Sequence, residues 1–142
     1  MIVVAMSSTV NFEKIFDLSK NQYSWKNDMI IIAGPTCVGK SNIAIGLAKK
    51  INGAIINADS VQVYKDLKLL SARPTIDEME GIPHFLYGYV DRNTSFSVSD
   101  WLLDINSTMA EIEKMKKTPI LVGGSGLYLN AVINGLVPIP SI

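Results

Sequence analysis

The segment that most restricts this chain is Gly34-Pro35-Thr36-Cys37-Val38-Gly39-Lys40-Ser41, set between two periodic stretches. Before it, Met29-Ile30-Ile31-Ile32-Ala33 is a continuous apolar run suited to a strand buried on both faces. After it, Ile43, Ala44, Leu47, Ala48 and Ile51 recur at helical spacing, with Lys49 and Lys50 near the helix end and Asn52-Gly53 to stop it. Gly34 and Gly39 permit backbone angles that a side chain forbids. Such a loop turns several N–H groups toward one cluster of anionic oxygens, at the positive end of the following helix. Lys40 adds a point charge for terminal phosphate oxygens, and the Ser41 hydroxyl is placed to ligate magnesium. A P-loop of this kind binds a phosphate chain without saying which one.

The remaining pattern extends the same architecture. Residues 54–58 form a second buried strand that ends at Asp59-Ser60. The strand–helix–strand unit predicts parallel pairing with a right-handed crossover, and Asp59 at the end of a strand beside the P-loop strand. Residues 60–83 read as irregular to short-helical, and 84–90 as a further strand. Ser97-Val98-Ser99-Asp100 has the form of a capping box with Asp in the place of Glu or Gln. Val98, Trp101, Leu102, Ile105, Met109, Ile112 and Met115 then mark one face of a long helix. A third buried strand, 119–122, runs into Gly123-Gly124-Ser125-Gly126, and helical spacing resumes over 127–134. The predicted fold is α/β, a P-loop NTPase-like parallel sheet flanked by helices. Residues 1–28 read as an N-terminal extension to a core domain at 29–142.

Composition narrows the class. The chain has 142 residues, 48% apolar, enough for one core and too short for two ordinary domains. Charged residues are 18%, so part of the apolar surface is expected to lie under a partner or a further part of the same chain. Thirteen basic residues balance thirteen acidic ones, and bulk charge advertises no nucleic-acid or membrane partner. One cysteine, Cys37, forms no intrachain disulfide. No apolar run approaches the ~18 residues of a membrane span, and the first ten residues carry no basic leader. A cytoplasmic protein is expected.

Chemistry at the sheet edge has few candidates. Ligands of open α/β sheets collect at the carboxyl ends of the strands. Asp59 there could ligate metal, take a proton from a nucleophile, or simply cap a loop. Ser125 shares that edge, as a contact or as a plain turn residue. No strand other than 54–58 ends in an acid, which counts against a motor-type or switch-type NTPase. His84, the only histidine, reads as structural, Cys37 as a small-residue filler, and Trp101 and Met109 as core.

Five ordered motifs then resemble one family. They are the P-loop, Asn57-Ala58-Asp59-Ser60-Val61-Gln62-Val63-Tyr64, Ser71-Ala72-Arg73-Pro74-Thr75, Pro83-His84, and Leu121-Val122-Gly123-Gly124-Ser125-Gly126-Leu127-Tyr128. Together they are similar to the bacterial tRNA dimethylallyltransferases, also called tRNA isopentenyltransferases. The resemblance implies transfer of a dimethylallyl group from dimethylallyl diphosphate to the exocyclic amine of the adenosine 3′ to the tRNA anticodon, with magnesium. It implies that the P-loop, Gly34 to Ser41, holds the diphosphate. It makes Asp59 the base and Thr36 a positioning group in the pocket. It sets Asp59, Ser60, Val61, Gln62 and Ser125 against the tRNA anticodon stem-loop.

The chain departs from the family pattern at Ser71 and Arg73 (commonly Thr and Lys), Leu70 (Gly), Phe85 (His) and Ser125 (Thr). The family also continues into a helical insertion and a basic second half, neither of which is in these residues. A monomer is expected, able to bind diphosphate weakly but acting poorly or not at all on tRNA without that half, since backbone affinity scales with cationic contacts. Two alternatives remain open on the residues alone: a P-loop small-molecule kinase using ATP, and a non-catalytic phosphate-binding remnant.

Overall fold

The computed structural model describes residues 2–5, 29–34, 39–65, 74–124 and 126–134. In chain order the elements are β1 (Ile2–Ala5), β2 (Ile30–Ala33), α1 (Lys40–Ile51), β3 (Gly53–Asn57), β4 (His84–Phe85), α2 (Val98–Lys114), β5 (Thr118–Gly123) and α3 (Gly126–Asn134). The five strands form one sheet in the order β1-β2-β5-β3-β4. Every pairing is parallel.

The order corrects one expectation. β3 does not lie beside the P-loop strand β2; β5 stands between them, pairing Ala33 with Gly123 on one side and Asn57 with Val122 on the other. Periodicity identifies a buried strand but carries no information on its neighbour in the sheet. The end of β5 suits a central place because it lacks side chains. A Cβ at Gly123 would stand 2.5 Å from the carbonyl carbon and oxygen of Ala58. Ile2–Ala5, which the sequence reading leaves in an extension, pairs with β2 as an edge strand.

The strands alternate between two cores. Ile30, Ile32, Ile55, Ile120 and Val122 pack with Ala44, Ile45, Leu47 and Ala48 of α1. Ile31, Ala54, Ile56 and Leu121 pack with Trp101, Ile105 and Ile112 of α2 and Tyr128 and Leu129 of α3. Burial on both faces is the reason these strands read as unbroken apolar runs.

The helix signals act as their chemistry requires. Asp100 N–H donates to Ser97 Oγ at 3.2 Å, and Ser97 N–H donates to Asp100 Oδ2 at 2.8 Å, closing the capping box. The Ser97 hydroxyl, which donates to Asp100 Oδ2 at 2.7 Å, and then the Ser97 N–H hold the Asp100 carboxyl below its ordinary range. α1 ends where Asn52 turns left-handed, at φ 56°. α2 ends at Lys114, so Met115 caps it and is exposed, while Thr108 takes a buried place on the core face.

The strand expected over 84–90 is two residues long. Leu86 and Gly88 have φ of 65° and 53° and bend the chain, and its next pairing is an isolated bridge between Tyr64 and Val90, outside the five strands. His84 is partly buried at the start of β4. Its Nδ1 lies 2.7 Å from the Ile82 carbonyl oxygen, and its ring tilts against Tyr87. A carbonyl only accepts, so Nδ1 carries the proton.

Both the strand-end contact and the His84 environment can be measured. Gly123→Ala, with its methyl forced onto the Ala58 backbone, should cost about 2 kcal/mol in urea unfolding. Gly126→Ala, where nothing lies within 4 Å of the added carbon, should be close to neutral. Equal losses would show that the strand ends are not in contact. Burial lowers the His84 pKa from its ordinary 6.5, outweighing the Ile82 bond that raises it. The folded state therefore binds fewer protons than the unfolded one. The stability is present in full above the unfolded value and is lost as pH falls from there through the lower folded value. The Tm should drop between pH 7 and pH 5, and His84→Gln should flatten that slope.

Candidate active site

Of the P-loop, the structure describes Gly34 and Gly39 to Ser41. Gly39, at φ 78° and ψ 23°, caps α1 in the left-handed region that favours glycine. Lys40 starts the helix, and its Nζ donates to the Gly34 carbonyl at 2.6 Å. The ammonium thus sits over the first residue of the loop. Ser41 follows, exposed, in the first helical turn. Pro35, Thr36, Cys37 and Val38 lie outside the described residues, as do Ser71, Arg73 and Ser125.

Asp59 stands two residues past the end of β3. Its Oδ1 accepts from Val61 N–H at 2.8 Å and Gln62 N–H at 3.3 Å, so the carboxylate organises the turn that carries Ser60, Val61 and Gln62. Among the described residues Oδ2 accepts no hydrogen bond, which leaves one oxygen for chemistry.

The loop and Asp59 meet across the end of β5. A Cβ at Gly124 would stand 2.8 Å from the Gly34 oxygen and 3.5 Å from Lys40 Nζ. Gly123, one residue earlier, touches Ala58, the neighbour of Asp59. β5 thus lies between β2, which leads into the loop, and β3, which leads to Asp59. At a strand spacing of about 4.8 Å, β2 and β3 lie roughly 10 Å apart.

Residue-by-residue reading leaves three contributors without a part at this edge. Asn57 is wholly buried; its Oδ1 accepts from Asp59 N–H at 2.9 Å, and its Nδ2 donates to the carbonyls of Asp59 and Leu86 at 3.0 Å each. Its signal is an amide ending an otherwise apolar strand. Tyr128 stacks on Trp101 with ring centroids 4.3 Å apart. Burial, then the charges of Tyr64, Asp59 and Asp100, push its hydroxyl up to about 12. Burial and then Asp59 raise Tyr87 well above the ordinary range. Both phenols therefore remain donors at neutral pH. No sequence pattern announces these two, because the charges that act on them lie in segments distant along the chain.

The donor chemistry suits a hard cation shared with a substrate. Among the described residues no group of three His, Cys, Asp or Glu could cage a metal. The exposed Ser41 hydroxyl beside the loop could supply one oxygen and a phosphate chain the others, which is the usual mode for magnesium. No helix among the described residues is long and apolar enough to cross a membrane.

The family model for IPP transferase matches residues 62–142. The chain belongs to the IPP transferase family. It is 56% identical over 117 residues to a tRNA dimethylallyltransferase of Pelagibacter ubique, covering 82% of this chain and 37% of the relative. It is similar to the tRNA isopentenylpyrophosphate transferase of Bacillus halodurans, with a TM-score of 0.73 and 42% identity over 77% of this chain and 36% of that one. A eukaryotic dimethylallyltransferase acting on tRNA matches with the same TM-score of 0.73 and 38% identity, over 79% of this chain and 28% of that one. The chain thus spans little more than a third of the length of the curated relative. Members of the IPP transferase family share its P-loop NTPase-like sheet. The transferase names of its relatives do not favour the kinase alternative.

The contact at Gly124 gives a direct check. Gly124→Ala should push Gly34 and Lys40 from their places and weaken binding of inorganic pyrophosphate about tenfold by calorimetry. Unchanged affinity would mean that the strand end does not shape the loop.

Proposed function

We propose that this chain supplies the donor-binding and acceptor-activating core of a cytosolic tRNA dimethylallyltransferase, built on residues 29–142. The observation that supports this most is the glycine pair at the end of β5, with Lys40 and Gly34 against Gly124 and Ala58 against Gly123. A phosphate-binding cation and a carboxylate thereby share one sheet edge, one strand apart. A P-loop lacking an acid on its neighbouring strand suits a reaction in which the phosphate chain leaves, rather than one that hydrolyses it.

The chemistry is a substitution at the allylic carbon of dimethylallyl diphosphate. The carbon–oxygen bond breaks and its electron pair leaves with the pyrophosphate. Loop N–H groups from Gly34 to Ser41, together with Lys40, stabilise the charge that develops there. Magnesium held by Ser41 and the diphosphate would neutralise part of that charge. The exocyclic amine of adenosine is conjugated with the purine and is a weak nucleophile, and it must lose a proton as the carbon–nitrogen bond forms. Asp59 is the base that takes it, through the oxygen not engaged by Val61 and Gln62. Thr36 lines the same pocket and helps align carbon and amine. Ser60, Val61, Gln62 and Ser125 contact the tRNA around the extruded adenosine. An anticodon loop releases a base more cheaply than a duplex does, which suits the anticodon stem-loop as the acceptor.

Ligand-induced stabilisation separates this reading from a nucleotide enzyme. Dimethylallyl diphosphate with magnesium should raise the Tm, and Lys40→Ala should abolish the rise. A rise with ATP alone would overturn the reading. In the complete gene product, Asp59→Asn should slow prenyl transfer to unmodified tRNA about 10²–10⁴-fold with little change in donor affinity.

A further inference from the structure

Asn57 raises a question that the proposed reaction leaves open. It ends a strand whose preceding residues, Gly53 to Ile56, are all buried, and it is itself 0% exposed. An amide buried there is costly if its hydrogen bonds are unmet. Instead the side chain makes three of them, and two go to the main chain of Asp59. Oδ1 holds the Asp59 N–H and Nδ2 holds the Asp59 carbonyl, so both peptide units flanking the Asp59 Cα are tied to one rigid side chain. The third bond, to the Leu86 carbonyl, anchors that side chain to the bend after β4. Leu86 is held there at φ 65°, a left-handed conformation unfavourable for leucine. On the opposite side the Asn57 carbonyl accepts from Trp101 Nε1 at 3.2 Å, and Trp101 stacks on Tyr128. The residue is fixed from the bend after β4 and from α2, and its own bonds fix the backbone that aims the Asp59 side chain.

We propose that Asn57 is a positioning residue for prenyl transfer, acting by locking the backbone of Asp59 so that its carboxylate meets the acceptor amine. The proposal rests on the reading of Asp59 as the base. A structural part alone would need the bond to Leu86 but not the pair that encloses Asp59. Serine at this position keeps an acceptor for the Asp59 N–H and loses the reach to Leu86. Alanine loses both.

The test is a double-mutant cycle in the complete gene product, with labelled dimethylallyl diphosphate and unmodified tRNA. Asn57→Ala should lower kcat about 10²-fold, as a misaimed base does, and leave the KM for the donor within about threefold. Asn57→Ser should recover at least about a tenfold share of that loss, which guards against a fold defect, since both variants give up the Leu86 bond. In an Asp59→Asn background, Asn57→Ala should cost almost nothing more, because the group it aims is gone. If Asp59→Asn is slow and Asn57→Ala multiplies the loss, the positioning proposal is overturned. A rise in KM with kcat unchanged, or a serine variant no faster than alanine, overturns it as well. If Asp59→Asn keeps its kcat, the reading of the base fails first and the proposal falls with it.

Discussion

Two strand ends come into van der Waals contact with the terminus of β5 because the residues there have no side chains. Gly123 faces the Ala58 backbone and Gly124 faces the Gly34 carbonyl and Lys40 ammonium. Any larger residue would wedge β3 away from β5 or lift the P-loop from its seat. The packing of the sheet edge and the distance between the two candidate reactive groups therefore have the same origin. The flanking cores, one under α1 and one under α2 and α3, hold the strands in register, but the last step of the approach is a matter of missing Cβ atoms.

The polar groups around that edge form a second, directional layer. Hydrophobic burial brings β3 into the sheet interior without orienting the residues beyond its end. Orientation comes from hydrogen bonds with one donor and one acceptor each. Asn57 encloses the backbone of Asp59, Asp59 in turn gathers the N–H groups of Val61 and Gln62, and the Gln62 carbonyl accepts from Gly88 N–H at 2.8 Å. The segment after β4 is thereby laid along the segment after β3, and two irregular stretches become a defined wall. Tyr87 and Tyr128 stand near this wall as neutral donors.

Much of this is readable residue by residue. The unbroken apolar runs at β2, β3 and β5 correspond to burial on both faces, and the helices begin and end where Gly39, Asn52 and the Ser97–Asp100 pair require. The expected strand over 84–90 fails because β-branched and aromatic content reports a taste for pleated surface, not the left-handed turns at Leu86 and Gly88 that break it. Met115 fails because helical spacing continues past the residue at which the helix stops. Asn57 stands in a family motif with no part assigned, since an amide's value depends on partners at residues 59 and 86 that spacing does not reveal.

The amino-acid order alone determined the local chemistry: a glycine-cornered loop for phosphate, an acid at a strand end, alternating layers of strand and helix, and the family that unites them. These depend on neighbours within a few residues, where backbone sterics and periodicity suffice. The tertiary structure decided the order of strands, the insertion of β5 between the loop and Asp59, and the anchoring of Asn57, which encloses Asp59, to the bend at Leu86. Each of those is a contact between segments distant in the chain. Close packing and paired hydrogen bonds select such contacts only once the whole sheet has assembled.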